Sequence, residues 1–182
     1  MVFLLLADGF EETEALCTLD LLRRAELTVH TIGINGKKQV TGSHGITVIC
    51  DKVDNEIFDI DNLQAVILPG GMPGTLNLDK SDFVSDLLDY AVANNLLIGA
   101  ICAAPSVLGR RNLLEGKNAC CYPGFEDLLI GAKVNQKPVN VDGNIITARG
   151  AGVSINFALA IIEKLVDNKT AQKIKDSIIC EI

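Results

Sequence analysis

Cys102 is the residue whose place in the sequence most favours chemistry. It follows the apolar run at 96–101 and precedes Ala103-Ala104-Pro105, small residues and a proline that suit a sharp turn into a helix. A cysteine at such a turn is exposed, and the first N–H groups of the following helix favour its thiolate. The sequence therefore predicts a nucleophilic thiol at the carboxyl end of a strand, where open α/β sheets place their sites. The alternative is a buried cysteine that acts only as a small hydrophobe.

Glu14 is the second candidate, because its place on a helix conflicts with its charge. A helical pattern covers 11–24, with an apolar arc that contains Phe10, Ala15, Cys17, Leu19, Leu21 and Leu22. Glu14 falls inside this arc, where a carboxylate is costly unless the site requires it. Glu11 and Glu12 are expected to be exposed carboxylates that stabilise the helix start. The alternative for Glu14 is the same role, a partly exposed carboxylate that stabilises the start of the helix.

A glycine-rich segment, Pro69-Gly70-Gly71-Met72-Pro73-Gly74, follows another predicted strand. Backbone N–H groups in such a segment can approach a ligand closely or stabilise an oxyanion. A plain structural turn is the alternative. The segment is not a phosphate-binding loop, because no Gly-Lys-Ser/Thr follows it.

The elements that must position these residues alternate as in a parallel sheet covered by helices. Strands are predicted at 2–6, 27–32, 65–68, 97–101, around 134–141 and at 145–147, with a hairpin-like stretch at 39–49. Helices are predicted near 11–24, 81–94, 153–166 and 169–179, and another begins after Cys102. No linker or repeat interrupts the pattern. We therefore expect one α/β domain over 1–182, with a mostly parallel sheet between two layers of helices.

Net charge and residue composition exclude several classes of function. The chain has 182 residues and a formal net charge of −7, which argues against a nucleic-acid surface. The apolar run at 2–7 is short and ends at Asp8, so a strand is expected there rather than a signal peptide or a membrane span. The six cysteines match no disulfide or zinc pattern, and only two histidines occur. We expect reduced thiols in a cytoplasmic protein, with no metal and no organic cofactor.

Four segments together resemble the ThiJ/PfpI superfamily, and within it the DJ-one branch, over nearly the whole chain. They are Ala7-Asp8-Gly9-Phe10-Glu11-Glu12-Thr13-Glu14, Leu68-Pro69-Gly70-Gly71, Ala100-Ile101-Cys102-Ala103-Ala104-Pro105, and Arg149-Gly150-Ala151-Gly152 before Phe157-Ala158-Leu159-Ala160. The resemblance implies a flavodoxin-like sandwich that forms a homodimer.

The resemblance also implies roles for particular residues. Cys102 takes the place of the family's nucleophile, and Glu14 that of the glutamate that hydrogen-bonds it and moves protons. Gly71 and Ala103, with Gly70 beside them, take the places whose backbone N–H groups form an oxyanion pocket. Arg24 and His44 fall where this branch has residues near the site at the dimer interface.

One departure from the family concerns Tyr122, which precedes Pro123. Many members have a histidine at this position, and neither histidine of this chain matches it. A Cys-His-acid triad is therefore not predicted. Tyr122 either hydrogen-bonds a substrate oxygen or has a packing role. Cys120 and Cys121 are either resolving thiols or buried strand residues.

The function implied by the resemblance is a cofactor-free enzyme that acts on α-oxoaldehydes such as methylglyoxal, free or as adducts on proteins or nucleotides, with a stress-protective role. The alternative is a redox sensor or chaperone in which Cys102 is oxidised to a sulfinate, stabilised by Glu14 and the helix N-terminus. A role in thiazole biosynthesis rests only on a historical family label, and no residue pattern supports it.

Overall fold

The computed structural model of the protein describes residues 1–56 and 60–181. Its strands are β1 (Val2–Leu6), β2 (Val29–Gly33), β3 (Gln39–Thr41), β4 (Thr47–Ile49), β5 (Lys52–Val53), β6 (Ala65–Leu68), β7 (Leu97–Ile101), β8 (Asn118–Ala119), β9 (Lys133–Val134), β10 (Val139–Asp142) and β11 (Ile145–Ala148). Its helices are α1 (Glu12–Arg24), α2 (Gly74–Asp79), α3 (Asp82–Ala93), α4 (Pro105–Arg110), α5 (Ser154–Leu165) and α6 (Asn168–Ser177).

Seven strands form the central sheet, in the order β10-β11-β7-β6-β1-β2-β5. Every neighbouring pair is parallel except β10 and β11, which run antiparallel at one edge. The pairs β3–β4 and β8–β9 lie outside this sheet. The mostly parallel flavodoxin-like sandwich expected from the sequence is thus confirmed.

The sheet is buried on both faces, as its near-continuous apolar strands require. In β1, Val2, Leu4 and Leu6 pack in one core cluster and Phe3 and Leu5 in the other, because successive side chains point to opposite faces. The first cluster contains the apolar sides of α1, α5 and α6, and the second those of α2, α3 and α4. None of the helices in the described residues is long and apolar enough to span a membrane.

Several elements differ from the sequence-based expectation, among them the two-residue strands β5 and β8, which were not predicted. Helix α2 was not predicted, because Pro73 and Gly74 at its start are typical of a turn. A glycine is needed at position 74, since a Cβ there would lie 2.6 Å from the Phe10 nitrogen. The strand expected around 134–141 is instead divided into β9 and β10, with Pro138 just before the second part. Proline lacks the N–H that a continuous ladder needs.

The carboxyl ends of four adjacent parallel strands meet at one edge of the sheet. Leu68 at the end of β6 pairs with Ala100 in β7, and Ala148 at the end of β11 pairs with Ile101. The chain leaves these ends through the glycine-rich turn, Cys102 and Arg149, while β1 leads into α1 and Glu14. Residues from four distant parts of the sequence therefore converge at this edge.

Candidate active site

Cys102 lies at a sharp turn between β7 and α4. Its φ of 65° is in the left-handed region, which a residue with a side chain adopts only where its surroundings impose it. Its N–H donates to the Ala148 carbonyl (2.9 Å), and its own carbonyl accepts from the Tyr122 N–H (2.8 Å). These two hydrogen bonds fix the turn, and the thiol is held half-buried at the edge of the sheet.

Glu14 lies in the first turn of α1, and its carboxyl is beside the thiol of Cys102. Only 1% of the residue is exposed. Its Oε2 accepts a hydrogen bond from the Gly70 N–H (2.8 Å), and its backbone N–H donates to Glu11 Oε2 (2.7 Å) at the start of the helix. Oε1 is buried and has no hydrogen bond of ordinary geometry with any residue that the structure describes. A buried carboxyl oxygen without a partner is costly, which points to a role at the site.

Gly70 lets the thiol and the carboxyl approach each other. A Cβ at this position would lie 2.6 Å from the Cys102 Cβ and 2.7 Å from Glu14 Oε2. The backbone N–H groups of Ala103 and Gly71 are directed at the Cys102 sulfur. Gly71 adopts a φ of +91°, a conformation that glycine tolerates best. The site therefore combines a thiol, a carboxyl and two N–H donors.

The thiol and the carboxyl titrate as a coupled pair. Burial raises the pKa of Glu14 to about 7, against the opposing hydrogen bonds from the Cys102 thiol and the Gly70 N–H. Burial, and then the charge and hydrogen bonding of Glu14, raise the pKa of Cys102 to about 12, while the Ala103 and Gly71 N–H groups lower it. Between these values the pair holds one proton. When that proton lies on Glu14, the sulfur is a thiolate.

The expected lowering of the Cys102 pKa at the helix start is only part of the balance, and the net direction is opposite. Helix α4 has only six residues and begins three residues after the cysteine. Burial and the neighbouring Glu14 raise the pKa of the thiol more than the local N–H groups lower it. The thiolate consequently depends on the proton that Glu14 accepts.

Tyr122 borders the site, since its backbone N–H donates to the Cys102 carbonyl. Its side chain is 51% exposed. A Cβ on Gly150 would lie 3.4 Å from its ring and 4.0 Å from Glu14 Oε1, so this glycine separates the tyrosine from the unpartnered oxygen. Tyr122 and Gly150 also line a cavity of about 390 Å³. Gly150 and the cavity were not among the candidates chosen for a site, although the sequence contains the segment 149–152 as a motif.

Glu12 was expected to be an exposed carboxylate at the helix start, but the structure shows it buried. Only 6% of it is accessible, and its carboxylate accepts hydrogen bonds from the His44 N–H (2.7 Å) and the His44 ring nitrogen Nδ1 (2.8 Å). The loop at 42–46 covers this face of α1, which a helical pattern cannot reveal. Burial raises the pKa of Glu12, but hydrogen bonds from the side chain and backbone of His44 outweigh it and lower the pKa to about 2.

Possible metal ligands occur at this same position. Glu11, Glu12 and His44 have ligand atoms within 4.8 Å of one another. The Glu11 carboxylate already accepts the N–H of Glu14, and the Glu12 carboxylate already binds His44. Because these groups satisfy one another, we assign no ion to them.

The remaining candidates lie outside the thiol–carboxyl pair. Arg24 is ten residues after Glu14 on α1, about 15 Å along the helix axis, and forms an ion pair with Asp20 (2.6 Å). Cys120 and Cys121 are both buried, with 0% and 3% exposed. Their burial agrees with the interpretation as structural residues of the core.

The fold and the site together define a class: mostly parallel α/β sandwiches that hold a cysteine at a strand-to-helix turn with a buried glutamate beside it. The comparisons narrow this class. Residues 1–164 match the DJ-1/PfpI family, and the chain belongs to it.

Individual relatives resemble the chain over most of its length. Protein dj-1beta of Drosophila melanogaster is 37% identical over 172 residues, which is 93% of this chain and 91% of the relative. The glutathione-independent glyoxalase DJR-1.2 of Caenorhabditis elegans is 32% identical over 169 residues, 90% of this chain and 87% of the relative. The solved structure of oxidized Toxoplasma gondii DJ-1 superposes with a TM-score of 0.91 at 33% identity, covering 100% of this chain and 98% of that one.

Proposed function

We propose that the protein is a glutathione-independent glyoxalase, an enzyme that converts α-oxoaldehydes such as methylglyoxal into 2-hydroxy acids. The observation that carries the proposal is the contact of the buried Glu14 carboxyl with the half-buried thiol of Cys102. The glyoxalase activity named for the C. elegans relative supports the same chemistry. Adducts of these aldehydes on proteins or nucleotides are the second substrate class that this chemistry serves.

The first step is attack by sulfur. In the form of the pair with its proton on Glu14, the Cys102 thiolate adds to the aldehyde carbon and a C–S bond forms. The carbonyl π electrons move to oxygen, and the N–H groups of Gly71 and Ala103 are placed to stabilise the negative charge. Glu14 then gives its proton to this oxygen, which forms the hemithioacetal and leaves Glu14 as the carboxylate.

The second step is a proton transfer between two carbons. The Glu14 carboxylate removes the proton from the carbon bonded to sulfur, and an enediol forms. Return of that proton to the neighbouring carbon gives a thioester of the 2-hydroxy acid, with one carbon oxidised and the other reduced. Water then cleaves the thioester, releases lactate from methylglyoxal and restores the thiol. The net change is addition of one water, so a thiol and a carboxyl suffice.

We also propose that the protein forms a homodimer and acts in the cytoplasm. The dimer is supported by exposed apolar residues near His44: Ile46 is 52% exposed and Ile49 is 71% exposed. Apolar residues grouped on one surface favour association.

The function is tested by incubating the purified protein with methylglyoxal, without glutathione, and measuring lactate by NMR. We expect lactate from the native protein and none above background from Cys102→Ser. Cys17→Ser is the control, because Cys17 lies half-buried on α1 outside the site. Failure of the native protein to form lactate, or equal formation by Cys102→Ser, contradicts the proposal.

A second candidate function, a redox sensor, is favoured by the same pair. Near pH 7 a neutral Glu14 can donate a hydrogen bond to an oxidised sulfur, because its pKa is about 7. Mass spectrometry after mild peroxide treatment distinguishes the two functions. Quantitative sulfinate at Cys102 in a protein that forms no lactate supports the sensor.

A further inference from the structure

Arg149, next to the candidate active site, is a cation with no hydrogen-bond or ion-pair partner for its side chain among the described residues. It follows β11, and its backbone N–H donates to the Pro138 carbonyl (3.1 Å), which fixes the main chain. Its half-buried side chain makes no hydrogen bond or ion pair within residues 1–56 and 60–181. It interacts through charge with the thiol of Cys121. A guanidinium that has lost part of its hydration without gaining an acceptor is stabilised by a bound anion.

Arg149 is one of the residues that line the open cavity of about 390 Å³ beside Tyr122. The other lining residues are neutral: Tyr122, Pro123, Pro138, Gly150, Ala151, Gly152 and Val153. Gly150 forms the boundary with the active site, since a Cβ on it would lie 4.0 Å from Glu14 Oε1. The cavity therefore adjoins the buried, unpartnered oxygen of the catalytic carboxyl.

Two other residues that line this cavity, Ala151 and Gly152, offer backbone donors. Ala151 and Gly152 form the short turn before α5, and no described residue accepts a hydrogen bond from either N–H. The twelve-residue helix α5 begins immediately after, with Val153 as an N-cap that offers no side-chain acceptor. Free N–H groups and the positive end of the helix dipole add to the charge of Arg149.

We propose that this cavity is a subsite for a carboxylate of the substrate, held by Arg149 and by the N–H groups of Ala151 and Gly152. The proposal rests on the α-oxoaldehyde chemistry proposed above and specifies its substrate class. The preferred substrate carries the reacting aldehyde at one end and a carboxylate at the other. Methylglyoxal has only a methyl group there and leaves the subsite unfilled.

The kinetic test compares dioxovalerate, an α-oxoaldehyde with a terminal carboxylate, with methylglyoxal. We expect the native kcat/KM to be higher for dioxovalerate, and Arg149→Gln to lower the ratio of the two values by about tenfold or more. Arg149→Lys keeps the positive charge but cannot form the bidentate hydrogen bonds of a guanidinium, so the ratio of the two kcat/KM values should be intermediate. Lys137→Gln is the control, because it removes an exposed cation close to Pro138. A ratio that Arg149→Gln leaves unchanged overturns the subsite.

An equilibrium test separates the subsite from the proposed reaction. Levulinate is an unreactive methyl ketone with the same terminal carboxylate, and methyl propyl ketone is its neutral counterpart. We expect levulinate, but not methyl propyl ketone, to shift the amide NMR signals of residues 150–152. Arg149→Gln should weaken the binding of levulinate about tenfold or more. Arg149-dependent binding without turnover of either aldehyde would support the subsite and reject the glyoxalase. If both aldehydes are turned over but levulinate binding is unaffected by Arg149→Gln, the glyoxalase is supported and the carboxylate subsite is rejected.

Discussion

The backbone N–H of Gly70 holds Oε2 of Glu14 at 2.8 Å, although the two residues are 56 positions apart in the chain. This hydrogen bond orients the carboxyl so that one oxygen is held by the backbone while the carboxyl stays in contact with the thiol of Cys102. The contact depends on Gly70 having no side chain, because a Cβ there would overlap both Glu14 and Cys102.

Gly70→Ala should therefore disrupt the site. The added methyl must displace the Cys102 Cβ or the Glu14 oxygen, which it would approach to 2.6 and 2.7 Å. A displacement of about 1 Å between reacting groups is expected to lower turnover about a hundredfold. Lactate formation from methylglyoxal measures the loss. Gly116→Ala is the control: its new Cβ meets nothing within 4 Å, and its φ of +71° strains an alanine backbone in a way that Gly70, which is not among the positive-φ glycines, does not. A larger loss of activity in Gly70→Ala therefore reports the crowding of Cys102 and Glu14. Similar activity in the two variants would contradict this account.

The alkylation of Cys102 should show the coupled titration. The pair holds two protons below about pH 7, one between about pH 7 and 12, and none above. Because the singly protonated pair supplies the thiolate, the rate of iodoacetamide labelling should rise through about pH 7 and then level off. Glu14→Gln removes the second proton site, so the step near pH 7 should disappear. Site-resolved mass spectrometry measures the rates, and a native profile without this step would reject the shared proton.

Turnover should depend on Glu14 more than on another acid of the same helix. Glu14→Gln keeps the shape of the side chain but cannot take a proton from carbon, so we expect kcat to fall by about 10²–10⁴. Asp20→Asn removes a carboxylate from the exposed side of α1, where it pairs with Arg24, and should have little effect. Steady-state kinetics measures both variants. Equal kcat values for the two would leave the proton transfer without its base.

The Glu12–His44 contact should make the protein sensitive to acid. The pKa of Glu12 lies at about 2, below its ordinary 4.5, so its contribution to stability is present above about pH 4.5 and is lost as the pH falls towards 2. The raised pKa of His44, caused first by its hydrogen bond to Glu12, acts in the opposite direction. Its contribution is present below the ordinary histidine pKa of 6.5 and is lost as the pH rises through the raised value.

Glu12→Gln should accordingly lower the free energy of unfolding at pH 7 by about 1–3 kcal/mol, because it loses charge-assisted hydrogen bonds to the loop at 42–46. It should also flatten the dependence of stability on pH between about 4.5 and 2. Urea titrations at several pH values measure both effects. Glu163→Gln, on the exposed side of α5, is the control. Parallel pH profiles for native protein and Glu12→Gln would show that this contact adds no acid sensitivity.

The homodimer should depend on the apolar surface around His44. Light scattering of the native protein is expected to give about twice the chain mass of 19.5 kDa at micromolar concentration. Ile49→Asp places a charge at a residue that is 71% exposed in the single chain and should shift the protein to monomer. Val141→Asp changes a similarly apolar residue, 54% exposed on β10, and should leave the mass unaltered. A native monomer would remove the dimer from the proposal.

The sequence by itself determined the layers of the fold and indicated the two central residues of the candidate site. Apolar runs of strand length alternating with amphipathic helices permit few arrangements besides a parallel sheet covered on both faces. Cys102 was found because small residues follow a strand, and Glu14 because a charge interrupts an apolar helical arc. Both signals are local, so periodicity and turn chemistry reveal them.

Contacts between distant parts of the chain decided the rest. Glu12 was expected to be exposed, but a loop 32 residues away covers it and changes its environment. The acidity of Cys102 was assigned to a helix terminus, whereas burial and the approach of Glu14 control it. The pKa of a buried group depends on the distance to every neighbouring charge and on lost hydration. Those quantities exist only once the chain has folded, which is also why the unpaired side chain of Arg149 and its cavity have no local sequence signal.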